Sequence, residues 1–408
     1  MIIGLFVDYG DVNACAWSYA DVGVNTCYSS FCQVCSTWRA LSRSDPMWAQ
    51  LTQVVWGCTR LLRNTWREEY IFNHRTARNF REGSATYFLL PFDTSDADGD
   101  PDALICRRLA LSVHHLACGF ADGSVRLFDL STRNHTRTFR SQHGYRLGRF
   151  SRAVSGIVLG QTSIVFATLD GDVHTAAIDG SVATVVVHTG NIVEDGALLD
   201  FAGCSRWWVG LFAGAPGRAF HVWDAATQVR TFVGGSLTDP EAVIGWHTLT
   251  ELTEFVGRIR VVPERELAVA CTRSGVVAFD LRHGVIIGEE EHGRGIMVGS
   301  FDVAADAYVR VDTRGIAGVR RVDSFEEFCS FNARSAARRV EVVGCRNELY
   351  ALMWSGSVIR VFELDQSGNY LYGLRERIAE VNALVADNRH VAAAGRGTSV
   401  HLWDFGIM

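Results

Sequence analysis

Seven similar stretches of alternating apolar and polar residues recur down the chain. Each stretch follows a glycine, and these glycines are Gly123, Gly171, Gly217, Gly275, Gly315, Gly356 and Gly397. Successive glycines are 48, 46, 58, 40, 41 and 41 residues apart. A Gly suits the tight turn between two antiparallel strands, and a four-stranded propeller blade repeats at about 40–45 residues. The pattern therefore predicts one blade for each repeat.

A near-continuous apolar run precedes each glycine, as in "HLACGF", "ELAVACT" and "ELYALMW". Such runs are typical of strands that are covered on both faces. One run contains Trp207 and Trp208, and adjacent strand residues face opposite ways, so at least one ring should lie in a core. Together with the terminal Trp403-Asp404 pair, these features predict an all-β fold, a seven-bladed WD-repeat-like β-propeller over residues 84–408.

The last repeat, "GTSVHLWDF", supplies only the third strand of its blade before the sequence ends. A sheet that stops there has an exposed edge, and propellers avoid such edges. The stretch "SATYFLLPF" at residues 84–92 precedes the first repeat and has strand-like composition. We expect it to pair with the strand near residues 398–404 and close the ring.

Residues 36–81 have a different periodicity. Apolar residues spaced by three or four predict helix, and they are Trp48, Leu51, Val55, Cys58, Leu62, Trp66 and Tyr70. Ser44 or Asp45 before Pro46 is a plausible helix start. We assign residues 1–30 to an atypical N-terminus that need not be ordered, residues 31–56 to one helical segment and residues 57–83 to a helical connector.

Composition narrows the functional classes. The net charge of −6 over 408 residues argues against wholesale nucleic-acid binding. All 39 basic residues are Arg, which fits either codon bias or selection against ubiquitin acceptor amines. The eleven Cys are expected to be reduced thiols that pack as small hydrophobes. The N-terminus resembles neither a signal peptide nor a membrane span, so no membrane partner is expected.

Catalytic motifs are missing from the sequence. It contains no G-x-S-x-G elbow, no H-E-x-x-H and no P-loop. Cys27, Cys32 and Cys35 are spaced C-x4-C-x2-C, but a structural zinc site needs four ligands and no suitable second pair follows. We therefore expect a non-catalytic protein without metal or cofactor.

The loops between predicted blades carry arginines that could form a partner-binding rim, because guanidinium groups recognise carboxylates and phosphates. The candidates are Arg149, Arg152, Arg294, Arg338, Arg375 and Arg377. The longest insertion, residues 234–257, adds Trp246 and His247 as interface anchors. The alternatives are isolated solvated arginines and a Trp246 that packs onto the fourth predicted blade.

Two resemblances refine this picture. "FCQVCSTWRALSRSDPMWAQL" resembles the second half of an F-box, with Val34, Trp38 and Trp48 at its apolar and Trp positions. F-boxes dock on the Skp-type adaptor of a cullin ubiquitin ligase, which implies that these three residues bind the adaptor. The first half of the motif, a Leu-Pro-containing helix, is not present.

Residues 31–408 resemble the plant STERILE APETALA family, on phrases that include "FRSQHGYRLGRFSRAVSGIV", "DFAGCSRWWVGLFAGAPGRAFHVWD" and "FVGGSLTDPEAVIGWHTLTEL". The resemblance implies a nuclear regulator of flower and organ development. It also implies a substrate receptor of a Skp-cullin-F-box ligase for transcriptional repressor complexes of the PEAPOD type. The alternative is a transcriptional scaffold with no ligase role. Direct DNA binding by the Arg-rich residues 57–81 is a third hypothesis, which the net charge disfavours.

Overall fold

The computed structural model describes residues 43–95, 102–141, 148–237, 257–273, 275–293, 296–333, 341–365 and 367–407. The chain forms two compact units. One unit comprises residues 1–86 with 404–408, and the other comprises residues 87–403.

The first unit contains two helices, α1 (Asp45–Trp56) and α2 (Trp66–Glu82). The predicted start of α1 is confirmed, since Ser44 is its N-cap and a Pro occupies its first turn. Trp48 of α1 is buried, and its ring centroid lies 5.2 Å from that of Tyr70 on α2. These two rings pack the helices together.

The apolar periodicity that continues through Cys58 and Leu62 does not form helix. Gly57 adopts a left-handed backbone with φ of 63°, which terminates α1. A new helix begins only after Thr65, whose side chain accepts a hydrogen bond from the backbone N of Glu68 at 3.2 Å. Cys58 and Leu62, which the apolar spacing assigned to helix, therefore lie outside both helices, because the backbone caps end α1 and start α2.

The end of the chain also belongs to this first unit. The ring of Phe405 stacks on that of Phe80, with centroids 4.2 Å apart. The amide nitrogen Nδ2 of Asn79 donates to the carbonyl oxygen of Phe405 at 2.9 Å. Residues of α2 thus hold the tail that follows the last strand.

The second unit is built from strands. The first strand is β1 (Thr86–Pro91). The next twelve strands are β2 (Cys106–Leu111), β3 (His115–Phe120), β4 (Ser124–Asp129), β5 (His135–Arg140), β6 (Val154–Leu159), β7 (Ser163–Thr168), β8 (Val173–Ala177), β9 (Val185–His188), β10 (Ala197–Gly203), β11 (Trp207–Ala213), β12 (Phe220–Asp224) and β13 (Arg230–Gly234).

The remaining strands are β14 (Gly257–Val262), β15 (Leu267–Thr272), β16 (Gly275–Asp280), β17 (Val285–Glu291), β18 (Val298–Ala304), β19 (Ala307–Asp312), β20 (Ile316–Arg321), β21 (Glu327–Asn332), β22 (Val343–Arg346), β23 (Tyr350–Ser355), β24 (Val358–Glu363), β25 (Tyr370–Gly373), β26 (Ala383–Ala386), β27 (His390–Ala394) and β28 (Ser399–Asp404). The described residues therefore form an all-β propeller unit, together with the two helices of the first unit.

Five sheets of four strands and one sheet of eight strands are present among the described residues. The eight-stranded sheet consists of two antiparallel meanders, β6 to β9 and β10 to β13, joined by one parallel pair, Phe201 with Gly156. The pair forms because Gly156 has no side chain, since a Cβ there would lie 1.9 Å from the carbonyl oxygen of Phe201. This close approach joins two sheets that the sequence predicts to be separate.

The first strands of the meanders lie side by side in a closed ring. Contacts run from β2 to β6, β10, β14, β18, β22 and β26, and β26 contacts β2. The second strands are the most buried; every residue of β15, for example, is buried. Trp207 and Trp208 are both buried, in separate clusters that include Ile259 and Val165 respectively. The prediction that at least one of them lies in a core is confirmed.

The strand expected at residues 84–92 is observed as β1, which is hydrogen-bonded to β28 in the sheet ordered β1-β28-β27-β26. The backbone N of Phe92 donates to the carbonyl oxygen of Thr398 at 3.2 Å. Leu90 is buried in one apolar cluster with Val400 and Leu402. A strand from ahead of the first repeat thus completes the last sheet.

A chain of buried polar contacts crosses several of the ring's first strands. From β2, Nε of Arg108 donates to the carbonyl oxygen of Ser155 and to Oδ1 of Asp200, both at 2.7 Å. From β14, Nη1 of Arg260 donates to the other carboxylate oxygen of Asp200 at 3.0 Å. Nε of Arg260 donates to Oδ1 of Asp302 on β18 at 2.8 Å. The two carboxylates therefore bridge strands that belong to different sheets.

Asp200 is the central residue of this series of polar contacts and is fully buried. Burial alone would raise the pKa of its carboxyl, but Arg108 and Arg260 beside it hold that pKa below its usual value. A carboxylate with a lowered pKa stabilises the fold above the ordinary Asp pKa, and this contribution disappears as the pH falls through the lowered value.

We expect Asp200→Asn to lower the free energy of unfolding by roughly 3–5 kcal/mol at pH 7, because it leaves buried arginines without their counter-charge. The deficit relative to wild type should shrink as the pH falls below about 4, where the carboxyl of the unfolded chain takes up a proton, and should disappear once the pH passes the lowered native pKa. Denaturant unfolding across this pH range measures both effects. Glu194→Gln removes an exposed acid six residues earlier in the sequence and should leave stability almost unchanged. Equal stability of Asp200→Asn and wild type at pH 7 would contradict the bridging role.

Candidate functional site: the loop rim

Two kinds of loop lie together at one end of the propeller unit. Outer-to-inner connections join the fourth strand of one meander to the first strand of the next, and short turns join second to third strands. The backbone N of Ile378, in a connection, donates to the carbonyl oxygen of Ser357, in a turn, at 3.0 Å. The backbone N of Asp170, in a turn, donates to the carbonyl oxygen of Ser151, in a connection, at 3.0 Å. We call this end the loop rim.

The structure describes some of the predicted rim residues. Arg152 ends a 3-10 turn, Arg149–Arg152, and is half-buried. Arg375 and Arg377 are exposed in the connection between β25 and β26. The side chain of Arg149 and all of Trp246, His247, Arg294 and Arg338 lie outside the described residues, as do Val34 and Trp38 of the F-box-like segment. The third F-box-like residue, Trp48, is buried against α2 and offers no surface to a partner.

Backbone and indole hydrogen bonds fix the connection at residues 374–382. The backbone N of Leu374 donates to the carbonyl oxygen of Ile359 at 2.8 Å. The indole Nε1 of Trp354 donates to the carbonyl oxygen of Ile378 at 3.0 Å. Leu374 and Ile378 are buried, whereas Arg375 and Arg377 between them are exposed. Two guanidinium groups are thus carried on a backbone whose position is set by the propeller.

Glu376, the acid between these two arginines, is hydrogen-bonded to a residue of β28. Oε2 of Glu376 accepts a hydrogen bond from the indole Nε1 of Trp403 at 2.7 Å. Tyr87 lies near it, and burial together with the Glu376 charge raises the pKa of that phenol. The Tyr87 hydroxyl lies 2.8 Å from Nδ1 of His401. Because Glu376 is engaged with β28, neither Arg375 nor Arg377 has an ion pair within the described part of the chain.

The turns of the rim carry further arginines that sequence reasoning did not include. Arg314 and Arg396 have half or more of their side chains exposed, and each is 2.8 Å from a carboxylate, of Asp312 and Asp102 respectively. The phrases "TRG" and "GRG" at the second-to-third-strand turns could have identified them. Their neighbouring acids offset their charge, which distinguishes them from Arg375 and Arg377.

The described residues offer other chemistries little support. They contain no cluster of His, Cys, Asp or Glu with the arrangement of a metal site. All seven described cysteines are free, and burial raises the pKa of the Cys118, Cys271 and Cys345 thiols, which keeps them protonated and unreactive. No helix in the described ranges has the length and apolar character needed to cross a membrane.

The chain is 56% identical over 382 residues to the transcriptional regulator STERILE APETALA of Arabidopsis thaliana, covering 92% of this chain and 85% of that relative. The chain belongs to the STERILE APETALA family. No protein-family model matches this family member.

Solved structures share the fold of this STERILE APETALA family member. A structure of U3-55K matches with a TM-score of 0.58 at 10% identity, covering 78% of this chain and 98% of that one. The computationally designed Ika8 protein matches with a TM-score of 0.50 at 14% identity, covering 74% of this chain and 96% of that one. At these identities the matches support the propeller architecture alone.

In this STERILE APETALA family member, we expect Trp354→Phe to loosen the 374–382 connection. The substitution removes the indole donor and leaves the carbonyl oxygen of Ile378 without this hydrogen bond. Amide hydrogen exchange of residues 374–380 should accelerate by about fivefold or more, as the loss of about 1 kcal/mol requires.

Trp207→Phe is the matched control. Trp207 is 8% exposed and Trp354 is 7% exposed, but the Trp207 indole nitrogen has no hydrogen-bond partner among the described residues. Both variants lose ring volume, so only the Trp354 change should affect exchange in the connection. Equal exchange of residues 374–380 in the two variants would show that the indole bond does not fix this loop.

Proposed function

We propose that this protein is a nuclear transcriptional regulator that holds a protein partner on the loop rim of a seven-bladed propeller. Membership of the family of a protein named as a transcriptional regulator supports the regulatory role and the nuclear location. The ring of first strands supports seven blades, if the two meanders of the eight-stranded sheet are counted as separate blades.

The observation that carries the binding proposal is the pair Arg375 and Arg377. Both guanidinium groups are exposed, unpaired within the described residues and held on a fixed backbone. Preorganised donors lose little conformational entropy on binding, and charge-assisted hydrogen bonds contribute about 1.5–3 kcal/mol each. A partner segment rich in carboxylates or phosphates complements this site. Arg152 lies in an equivalent connection and extends the same rim.

In the finer form of the proposal, the protein is the substrate receptor of a Skp-cullin-F-box ubiquitin ligase. The partner is then a transcriptional repressor complex of the PEAPOD type, captured during flower and organ development. The F-box-like sequence at residues 31–56 supports this form. The protein is non-catalytic, and the ligase chemistry belongs to other subunits.

A scaffold without a ligase role is the second candidate. The burial of Trp48 favours it, because this residue packs α1 on α2. The two forms share the rim and differ only in whether the helical unit recruits the adaptor.

We expect Arg375→Gln with Arg377→Gln to weaken binding of an acidic or phosphoserine-containing probe peptide by at least about tenfold, a loss of about 1.4 kcal/mol. Fluorescence anisotropy with the full-length chain measures this affinity. The melting temperature should change little, because both side chains are exposed.

The control removes two charges elsewhere. Arg265 and Arg321 lie in turns outside the loop rim, after β14 and at the end of β20, with 40% and 52% of their side chains exposed. Arg265→Gln with Arg321→Gln should leave the probe affinity unchanged. Equal losses in the two double variants would refute the rim site.

Co-purification of a Skp-type adaptor and cullin with the full-length chain supports the ligase form, and their absence supports the scaffold.

A further inference from the structure

The outermost strand of one sheet, β17, differs from the other outer strands of the propeller unit. In the sheet ordered β14-β15-β16-β17, β14 belongs to the closed ring and β17 is the strand farthest from it. β17 pairs with β16 on one side, and no strand among the described residues pairs with its other side. An edge strand offers free N–H and C=O groups to an added strand.

β17 lacks several of the devices that protect sheet edges. It has seven residues, against four in each of the outer strands β9 and β25, and short edge strands resist pairing. The outer strand β5 carries Arg137 and Arg140, whereas β17 contains no basic residue and no proline. The pairing of β17 leaves Ile287 as an extra residue, but the outer strand β13 has the same shift. This bulge is therefore not specific to the β17 edge.

Three consecutive aliphatic side chains of β17 are exposed. Val285, Ile286 and Ile287 are 56%, 42% and 53% exposed, and no other run of three exposed large apolar residues occurs in the described part of the chain. Val285 and Ile286 point to opposite faces of the sheet. Since both are exposed, neither face of this half of the strand is covered by the described residues. Contiguous apolar surface of this kind marks interaction sites.

The other half of β17 is acidic and firmly anchored. The Tyr308 hydroxyl donates to Oε2 of Glu290 at 3.0 Å, and Arg320 donates to the other oxygen of that carboxylate. These contacts hold β17 against the next meander, so the strand edge is positioned before a partner binds. Glu289 and Glu291 point to the face opposite Glu290, and both are exposed. Two carboxylates thus lie beside the aliphatic half of the strand.

We propose that the edge of β17 binds an extended segment of a protein partner by strand addition. The segment carries basic residues opposite Glu289 and Glu291 and aliphatic residues opposite residues 285–287. Main-chain hydrogen bonds supply affinity in this binding mode, and alternate side chains supply specificity. The exposed carboxylates select a basic segment, because complementary charge favours the matching partner and disfavours an acidic one. β17 is a strand and not one of the rim loops, so this surface goes beyond the proposed function.

A second copy of the chain is a poorer occupant of this edge. Two β17 strands related by a two-fold axis run antiparallel. Pairing centred on Gly288 would place the aliphatic half of each strand opposite the acidic half of the other. That arrangement buries carboxylates without a partner, which is unfavourable. A basic segment satisfies the same carboxylates directly.

The test uses two fluorescently labelled peptides and the full-length chain. The basic peptide, Arg-Thr-Arg-Gly-Val-Thr-Val, places its arginines opposite Glu291 and Glu289 when it pairs antiparallel with β17. The acidic peptide has Glu in place of both Arg. The chain carries Arg375→Gln and Arg377→Gln, so that the acidic peptide does not bind at the rim. Fluorescence anisotropy should show saturable binding of the basic peptide, at least about tenfold tighter than that of the acidic one.

Glu289→Arg with Glu291→Arg should reverse this preference, so that the acidic peptide binds at least about tenfold more tightly than the basic one. Glu264→Arg with Glu326→Arg is the matched control, since it reverses two exposed acids outside β17. The control should keep the preference for the basic peptide. No saturable binding of the basic peptide, an unchanged preference in the β17 variant or a reversal in the control would overturn the proposal.

A second variant tests the aliphatic half. Ile286→Thr with Ile287→Thr keeps β-branched side chains and should weaken binding of the basic peptide by about fivefold, because it removes apolar contact area. The melting temperature should change little, since both side chains are exposed. Undiminished binding would show that this half does not contact the peptide and would overturn strand addition along β17.

Light scattering separates the remaining occupant. The wild-type chain should not form a dimer through β17, and dimerisation that Ile286→Thr with Ile287→Thr abolishes would replace the proposed partner with a second copy. Failure of either experiment leaves the rim proposal intact, because the rim site rests on other residues and selects peptides of the opposite charge.

Discussion

The pairing of β1 with β28 is the contact on which the propeller unit depends. Among the described residues, every other meander consists of four strands that follow one another in sequence, whereas the last sheet takes its outer strand from residues 86–91. Without that strand, β28 would present an unpaired edge with free N–H and C=O groups. The pairing joins the two ends of the strand sequence and thereby fixes the first strands in a ring. The loop rim inherits its geometry from this closure, because Glu376 of the rim is hydrogen-bonded to Trp403 of β28.

Charge organises the interior of the ring in a way that apolar packing does not. The outer parts of the sheets pack through apolar clusters, but the first strands are joined by Arg108, Asp200, Arg260 and Asp302. Buried ion pairs add little net stability compared with apolar packing, yet they specify which groups must meet. This series of buried ion pairs can therefore determine how neighbouring sheets are positioned.

Local sequence patterns predicted the features that depend on local chemistry. The recurring glycines marked turns such as Gly123, whose φ of 82° favours a residue without a side chain. The apolar run containing Trp207 and Trp208 predicted burial, and the run at residues 84–92 predicted a strand. Helical spacing failed at residues 57–65, where the Gly57 and Thr65 caps break the helix. The close pairing of Gly156 with Phe201 was also beyond prediction, because it depends on how two sheets approach.

The buried network of Arg108, Asp200 and Arg260 escaped prediction for a similar reason. Arg108 and Asp200 are 92 residues apart in sequence, and Asp200 and Arg260 are 60 apart. Only the closed ring brings these residues together. The rim was partly predictable, since Arg375 and Arg377 stand out in a short connection, but their freedom from ion pairs depends on where Glu376 points. Sequence thus identified candidate residues, and the fold decided which of them are available to a ligand.

The closure by β1 is tested most directly by comparing two adjacent leucines on that strand. Leu90 is 1% exposed, inside the cluster with Val400 and Leu402, whereas Leu89 is 51% exposed. Denaturant unfolding of the full-length chain should show that Leu90→Ala lowers the free energy of unfolding by about 2–5 kcal/mol, while Leu89→Ala changes it by less than about 1 kcal/mol. If Leu90→Ala costs no more than Leu89→Ala, the strand does not close the ring.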